Sequence, residues 1–498
     1  MTVAFLISLL FLIIERTSHL GSPDDFSVTS YFLFYFGMAV YLTRRLCLTP
    51  ANPVRKNAYF WSTSGPVLPA ALALIVAKNC HWLLSNPRFP LRQGQGLSQF
   101  FQGANVAALS VSIAILAAIL LRLLVNLGQQ RKARRNGYAG THPSKKTSAI
   151  LRSFTTDPWI GRASALVIVL LSLNQISVPL ISPTPFIDVQ VSNTEAVDFF
   201  LSGLNPYSQR YVDIYNGLYD YKPGFLYSPG ILFLAAPFRA FLGDIRYLYI
   251  AANLATAAFL FLLCRRFQLR ATLCWLITTA WISMPEIYHI LDQSWIDPVL
   301  ATCAVGLALA IDSKRWLAAG VLAAVATVCK QTGFIIAIFG LFRVWQLAPR
   351  QLFVRSFGIS AAIVSAVILP FALLDWNGFY AMVIHSQISA QIRSDSINMT
   401  AVLLRHGVRL AGWVQALAVI VGIAWGFAVL RKDRSRSLTS FALALWVSYG
   451  LAFFLGKFAF RQYHHLLASF VLLVLIDWAR PSENEILDPN RKEMGIQP

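Results

Sequence analysis

Asp188 stands in the phrase SPTPFIDVQ, directly after an apolar run, where two prolines force the chain out of a helix. A carboxylate at the edge of a membrane span is reachable by water and by a lipid headgroup. It could take a proton from an acceptor hydroxyl. Position alone does not separate that role from an ordinary polar loop residue. Two more sets of polar residues border apolar runs. One is Glu286, His289, Asp292, Gln293 and Asp297 in PEIYHILDQSWIDP; the other is Lys457, Arg461, Tyr463, His464 and His465 in GKFAFRQYHH. Lys330 and Gln331 occupy a turn between two further runs. Fixed cations beside a lipid-facing site suit a phosphate, arginine through its bidentate fork. Lys457 reads better as a side chain reaching for the headgroups, whereas Arg461 beside Tyr463 and His464 favours phosphate. Neighbouring histidines on a helix point about 100° apart, and neither an HExxH pattern nor a carboxylate-rich calcium loop occurs, so no metal site is expected. There is no Walker loop and no GxSxG elbow. Asn398-Met399-Thr400 fits a glycosylation acceptor, a pattern common by chance.

These residues must be positioned by membrane helices. Of 498 residues, 56% are hydrophobic and 13% charged, with a mean hydropathy of +0.58. Soluble domains devote about a quarter of their residues to charge. The net charge of +20 lies in short clusters between apolar runs, the pattern of cytoplasmic loops rather than of a nucleic-acid-binding domain. Six cysteines without CxxC spacing read as packing thiols. The expected fold is an all-α polytopic transmembrane bundle of about fourteen spans. The candidates are 3–15, 29–43, 64–83, 104–127, 163–182, 246–264, 271–289, 296–311, 316–329, 332–346, 356–374, 412–430, 439–456 and 463–478. The first run, Val3 to Ile14, lacks a basic flank and a small-residue cleavage site, and so reads as a span rather than a signal peptide.

With the N-terminus inside, every strong basic cluster falls in the cytoplasm, from Arg44–Arg45 through Arg131–Arg135, Arg265–Arg270 and Arg343–Arg355 to Arg431–Arg436. Both termini are then cytoplasmic. Residues 1–128 form a four-span block, 129–160 a basic linker, 161–480 a core and 481–498 a tail. Two long loops, 183–230 and 375–411, face the other side, where function is usually housed. In the first, the spacing predicts an amphipathic surface helix over 194–204, with Ala196, Val197, Phe200, Leu201 and Leu204 along one side. Thr194 would cap it and Gly203 would end it. Six tyrosines from Tyr207 to Tyr227 follow, fitted equally to membrane interfaces and to sugar stacking.

The order of Asp188, the phrase Gly203-Leu204-Asn205-Pro206-Tyr207, and Tyr227-Ser228-Pro229 resembles the polytopic glycosyltransferases of the GT-C class, in particular the bacterial mannosyltransferase-like GT87 branch that uses polyprenyl-phosphate sugars. The phrase around Asp292-Gln293, the Lys330-Gln331 turn and the late Tyr-His pair resemble that branch too, over roughly 160 to 478. Four spans precede the core, and one proline follows Tyr227 where many relatives carry two. The resemblance implies a GT-C-like fold and transfer of mannose or a similar hexose or pentose to a lipid or glycan acceptor. That transfer would be inverting and occur on the extracytoplasmic face of a bacterial inner membrane. Asp188 would be the base. Arg461, His464 and Lys330 would hold the donor phosphate. Glu286, Gln293, Asp297, Asn205, Tyr207, Tyr227 and Tyr463 would bind sugar or acceptor. The partners would be membrane lipids, the polyprenyl-phosphate-linked sugar and a glycan or glycolipid acceptor, with no nucleic acid and no cofactor. A transporter or lipid-linked sugar flippase is the alternative, with paired short spans 316–329 and 332–346 in its favour. A polysaccharide polymerase or ligase, using Arg393, Arg405 and Arg409 of the second loop, is another.

Overall fold

The computed structural model describes residues 25–48, scattered helical positions between 104 and 119, and residues 158–217, 223–284, 286–457 and 459–480. The expected spans 3–15 and 64–83, most of 104–127, nearly all of the 129–160 linker and the 481–498 tail lie outside the described residues. Within them the protein is helical, without strands.

α1 is Asp25–Leu48. α2 (Pro158–Ile176) and the short α3 (Val178–Ile181) lead to α4 (Asp188–Leu201), then α5 (Gly230–Leu242) and α6 (Arg246–Arg266). Next come α7 (Ala271–Ile282), α8 (Glu286–Asp292), α9 (Asp297–Asp312), α10 (Trp316–Cys329) and α11 (Phe334–Leu347). α12 (Arg350–Leu374) runs into α13 (Trp376–Phe379), a π-helical turn at Tyr380–His385 and α14 (Ser386–Ser389). α15 (Met399–Arg405), α16 (Gly412–Lys432), α17 (Leu438–Phe454) and α18 (Arg461–Trp478) complete it.

Four of these, α2, α6, α12 and α16, are long and apolar enough to cross a membrane. α7, α9, α10, α11 and α17 are shorter. A 12-residue helix reaches only about 18 Å, short of the roughly 30 Å of hydrocarbon, but these helices are largely buried against neighbours rather than lipid. α12 is the reverse case, with Val354, Phe357, Leu369 and Leu373 exposed along it.

Side-chain bonds sort the helix ends into two groups. At one end, Arg246 donates to the Ser182 carbonyl and pairs with Asp244, Lys330 pairs with Asp297, and the Ser208 hydroxyl donates to Asp375 at the end of α12. At the other, Arg266 bonds Asp312, the Ser356 hydroxyl donates to the Trp316 carbonyl, Arg343 bonds Ser440, and Thr439 donates to Asp477. The second end carries Arg265, Arg266, Lys314, Arg315, Arg343, Arg350, Arg431 and Arg436, so the basic clusters gather at one end. The first end holds the long loops and every residue singled out for chemistry. Cys264, Cys274, Cys303 and Cys329 are free, buried packing thiols.

The surface helix begins at Asp188, six residues before the expected start. Pro183 and Pro185 exclude helix upstream, Ile187 is extended (φ −151, ψ 133), and Asp188 supplies an acid to the first turn. Thr194 therefore lies inside the helix and does not cap it. Gly203 (φ +75) does end it. Ala196 and Val197 are buried, but Leu201 and Leu204 are exposed. α5 is a further helix, which the apolar runs alone do not announce. It pairs with α4 through a bidentate Arg239–Asp198 bridge (2.7 and 2.8 Å) and Phe200–Phe233 ring contact, with Phe241 projecting outward. It starts and finishes at the same end of the bundle, so it lies along the surface rather than crossing. Its first residue needs to be small: a Cβ on Gly230 would stand 2.7 Å from the Val328 carbonyl oxygen. Gly230→Val is expected to destabilise by about 1–3 kcal/mol through overpacking, read as a lowered Tm in detergent; an unchanged Tm would refute this packing.

Candidate active site

Asp188 opens α4, and its Oδ1 accepts from the Val189 N–H at 2.9 Å. It is half-buried, and burial pushes its carboxyl above the usual carboxylate range, with the Arg393 guanidinium drawing it partly back. α4 is moored at this end by Asn193, whose amide donates to the Ser294 carbonyl (3.2 Å).

Below lies the 223–229 segment. Tyr207 is buried among Phe225, Phe371 and Phe379 and donates its hydroxyl to the Tyr227 carbonyl at 2.7 Å. Asn205 caps the following 3₁₀ turn by accepting from the Tyr207 N–H (3.1 Å). Gln331 clamps the same segment from the other side, donating to the Leu226 and Val383 carbonyls (2.6 and 3.0 Å). Asp375, held below its usual range by the Gly378 N–H and the Ser208 hydroxyl, fastens α13 to the loop. The backbone at Leu226–Tyr227 is thus held from two sides, by Tyr207 and by Gln331. The Tyr227 hydroxyl lies within electrostatic range of Tyr463, Asp297, Tyr249 and Asp188, and burial holds it protonated.

Beneath Tyr227, the chain breaks its helix at Lys330, which is extended (φ −148, ψ 141) between α10 and α11. The Lys330 ammonium donates to both Asp297 oxygens (2.9 and 3.0 Å) and sits 4.4 Å from the Tyr463 ring centroid. Asp297 is 0% and Lys330 5% exposed, so this ion pair is buried in the protein interior.

The second long loop closes the other side. Arg393 grips Asp395 (2.9 and 2.6 Å), lies 5.0 Å over the Phe460 ring, and joins its backbone to Lys457. The Ile397 N–H donates to the Ala459 carbonyl (2.8 Å), and His464 Nε2 meets the Ile397 carbonyl at 3.3 Å. Phe460 leads to Trp295, whose indole donates to Gln293 at 2.9 Å. Arg461 lies within electrostatic range of Glu286 and His289. His465 faces away, its ring 4.3 Å from Trp281.

The structure therefore brings Asp188, Tyr227, Tyr463 and the Lys330–Asp297 pair together, with Arg461, Glu286 and Gln293 alongside. Asn205, Tyr207 and Gln293 are engaged in holding loops, and Lys330, His464 and Arg393 have partners within the protein. The residue that sequence reasoning under-weighted is Arg393, considered only for a polymerase or ligase. Its signal is a cation in the long loop opposite the one carrying Asp188. Asn398 is buried; its side chain caps α15 and donates to the Phe453 and Gly456 carbonyls, so the acceptor-like triplet is a structural cap.

Four helices long and apolar enough to cross a membrane mark an integral membrane protein. A model of glycosyltransferase family 87 matches residues 225–479, half the chain, and the protein belongs to that family. The match spans Tyr227, the Lys330–Asp297 pair and the Arg461–His464 segment; Asp188 precedes it. No curated protein matches the chain.

Proposed function

We propose that this glycosyltransferase has the GT-C architecture and moves mannose, or a similar hexose or pentose, from a polyprenyl-phosphate donor to a lipid or glycan acceptor. The observation that carries this reading is the match to glycosyltransferase family 87 over residues 225–479, with the half-buried Asp188 opening a helix at the loop-bearing end of the same bundle. Asp188 takes the proton of the acceptor hydroxyl as its oxygen bonds to the anomeric carbon. The carbon–phosphate oxygen bond breaks on the opposite side, and its electron pair leaves with the phosphate. A single displacement inverts the centre. An ionised phosphate needs no strong acid to depart, so the remaining demand is for cations and donors facing it. Arg393 and Arg461 meet that demand directly, with Lys330 and His464 behind them. Tyr227 offers a stacking face to the sugar and Glu286 and Gln293 line its approach, while Tyr463 and Asp297 support the site from the buried layer beneath. The shorter helices α7, α9, α10, α11, α17 and α18 complete the spans. With the basic end in the cytoplasm by the positive-inside rule, the site faces the extracytoplasmic side, as in a bacterial inner membrane.

The pH dependence tests the base. Asp188 must be ionised to accept a proton, and burial raises its pKa. kcat/KM should therefore rise with pH through an acid limb above the ordinary carboxylate range and then level off. Arg393→Gln removes the pull that lowers this pKa, so the limb should move to higher pH. A limb that stays put in Arg393→Gln would contradict the pairing. Movement of labelled carrier across vesicles without sugar transfer would mark a flippase instead.

A further inference from the structure

α1 lies outside the family-matched residues, yet it is joined to the active-site loop. Its middle docks on the core: Phe32 and Tyr35 pack on Phe454, Phe36 on Trp425, and the Tyr35 hydroxyl donates to the Trp446 carbonyl. The Trp425 indole donates to Thr43 at 3.0 Å. Gly450 makes room for this seat, since any Cβ there would strike the Tyr35 ring. The N-terminal turn of α1 then meets the second loop in two ways. Val28 forms a small buried cluster with Ile397 and Val402. Asp25 takes a hydrogen bond from Arg405 Nε at 2.8 Å and pairs with His406 at 3.1 Å. The same Arg405 guanidinium donates to the Ser394 carbonyl. Ser394 follows Arg393, and Ile397 carries the carbonyl that meets His464.

We propose that Asp25 is a positioning residue for sugar transfer, holding through Arg405 and the Ser394 carbonyl the loop that presents Arg393 opposite Asp188. Arg405 has its donors divided between one carboxylate and one backbone carbonyl, so the carboxylate fixes where the guanidinium sits, and the guanidinium fixes the loop. Asp25 bonds Arg405, which bonds the Ser394 carbonyl, so both act through the loop. Their effect falls on donor-phosphate affinity rather than on the proton transfer at Asp188. This inference rests on the reading of Arg393 as a phosphate partner.

The experiment uses the full chain in nanodiscs, with Asp25→Asn, Asp25→Glu and Arg405→Gln. Hydrogen exchange over residues 391–398 reports the loop without any substrate. Binding of radiolabelled polyprenyl phosphate and initial rates with polyprenyl-phosphate mannose report the site. Asp25→Asn and Arg405→Gln should speed exchange of the Arg393 and Ile397 amides, which bond Lys457 and Ala459. They should also weaken polyprenyl-phosphate binding about tenfold, the size expected for a lost charge-assisted hydrogen bond, raising KM while kcat changes little. Asp25→Glu, which keeps the acceptor, should restore most of both. Unchanged exchange in Asp25→Asn overturns the inference, as does a fall in kcat at constant KM. If exchange quickens but Arg393→Gln binds polyprenyl phosphate normally, the phosphate role of Arg393 fails while the α1 tether stands.

Discussion

Asp188→Asn should lower sugar transfer by about 10²–10⁴-fold, the usual contribution of a positioned general base, or roughly 3–5 kcal/mol of barrier at 1.36 kcal/mol per tenfold. The amide keeps the shape of the side chain and can still accept from the Val189 N–H, so expression and Tm should stay close to those of the parent. What it loses is the capacity to take a proton from the acceptor. Polyprenyl-phosphate binding should change little, because the proposed phosphate partners are Arg393 and Arg461. A neighbouring carboxylate serves as the control. Asp198, four-tenths exposed and paired with Arg239 on the outer surface, is an ion pair of the kind that contributes below about 1 kcal/mol. Asp198→Asn should leave transfer near the parent rate. Near-normal turnover by Asp188→Asn would remove the base from the mechanism.

The second large effect is on stability. Lys330→Met strips the ammonium from Asp297, which has no exposure to water, and leaves a carboxylate alone in the protein interior. Breaking a buried pair from one side costs about 3–5 kcal/mol, whereas replacing both partners is often neutral. The expected result is a sharp drop in Tm for Lys330→Met and recovery of most of it in Lys330→Met/Asp297→Asn. A double-mutant cycle isolates the coupling. The double variant also separates support from chemistry: with Tm restored, any remaining loss of transfer belongs to the Lys330–Asp297 pair at the site rather than to its support of the fold. An additive cycle would show that the two residues are not coupled.

Much of this arrangement was legible because apolar runs and basic clusters are strong signals. The boundaries of α6, α9, α10 and α11 fall within a few residues of the apolar runs, and charge alternation alone assigned 188, 286–297, 330–331, 375–411 and 457–465 to the same end. Pairings were not legible. Lys330 and Asp297 are 33 positions apart, and nothing in composition says that one neutralises the other. Local pattern also misled. The 3.6-residue spacing after Thr194 is real, but the helix is started by the prolines before Asp188, so the periodic stretch is its second half. α5 is hard to read in sequence because GILFLAAPFRAFL is too short for a span and contains Pro237. Tyr207 and Asn205 look like ligand contacts in sequence because both sit in a conspicuous phrase. In the fold they are the fastening of the loop that bears Tyr227.

The crowding of arginines and lysines at one pole has a practical result for reconstitution. Each base near an anionic leaflet is worth on the order of 1 kcal/mol, so the residues from Arg265 to Arg436 at that pole together outweigh thermal scrambling by a wide margin. Proteoliposomes formed from detergent with acidic phospholipid confined to one leaflet would insert this chain in a single sense, with Asp188 under the neutral leaflet. Donor supplied to that leaflet alone would then reach every molecule in the preparation.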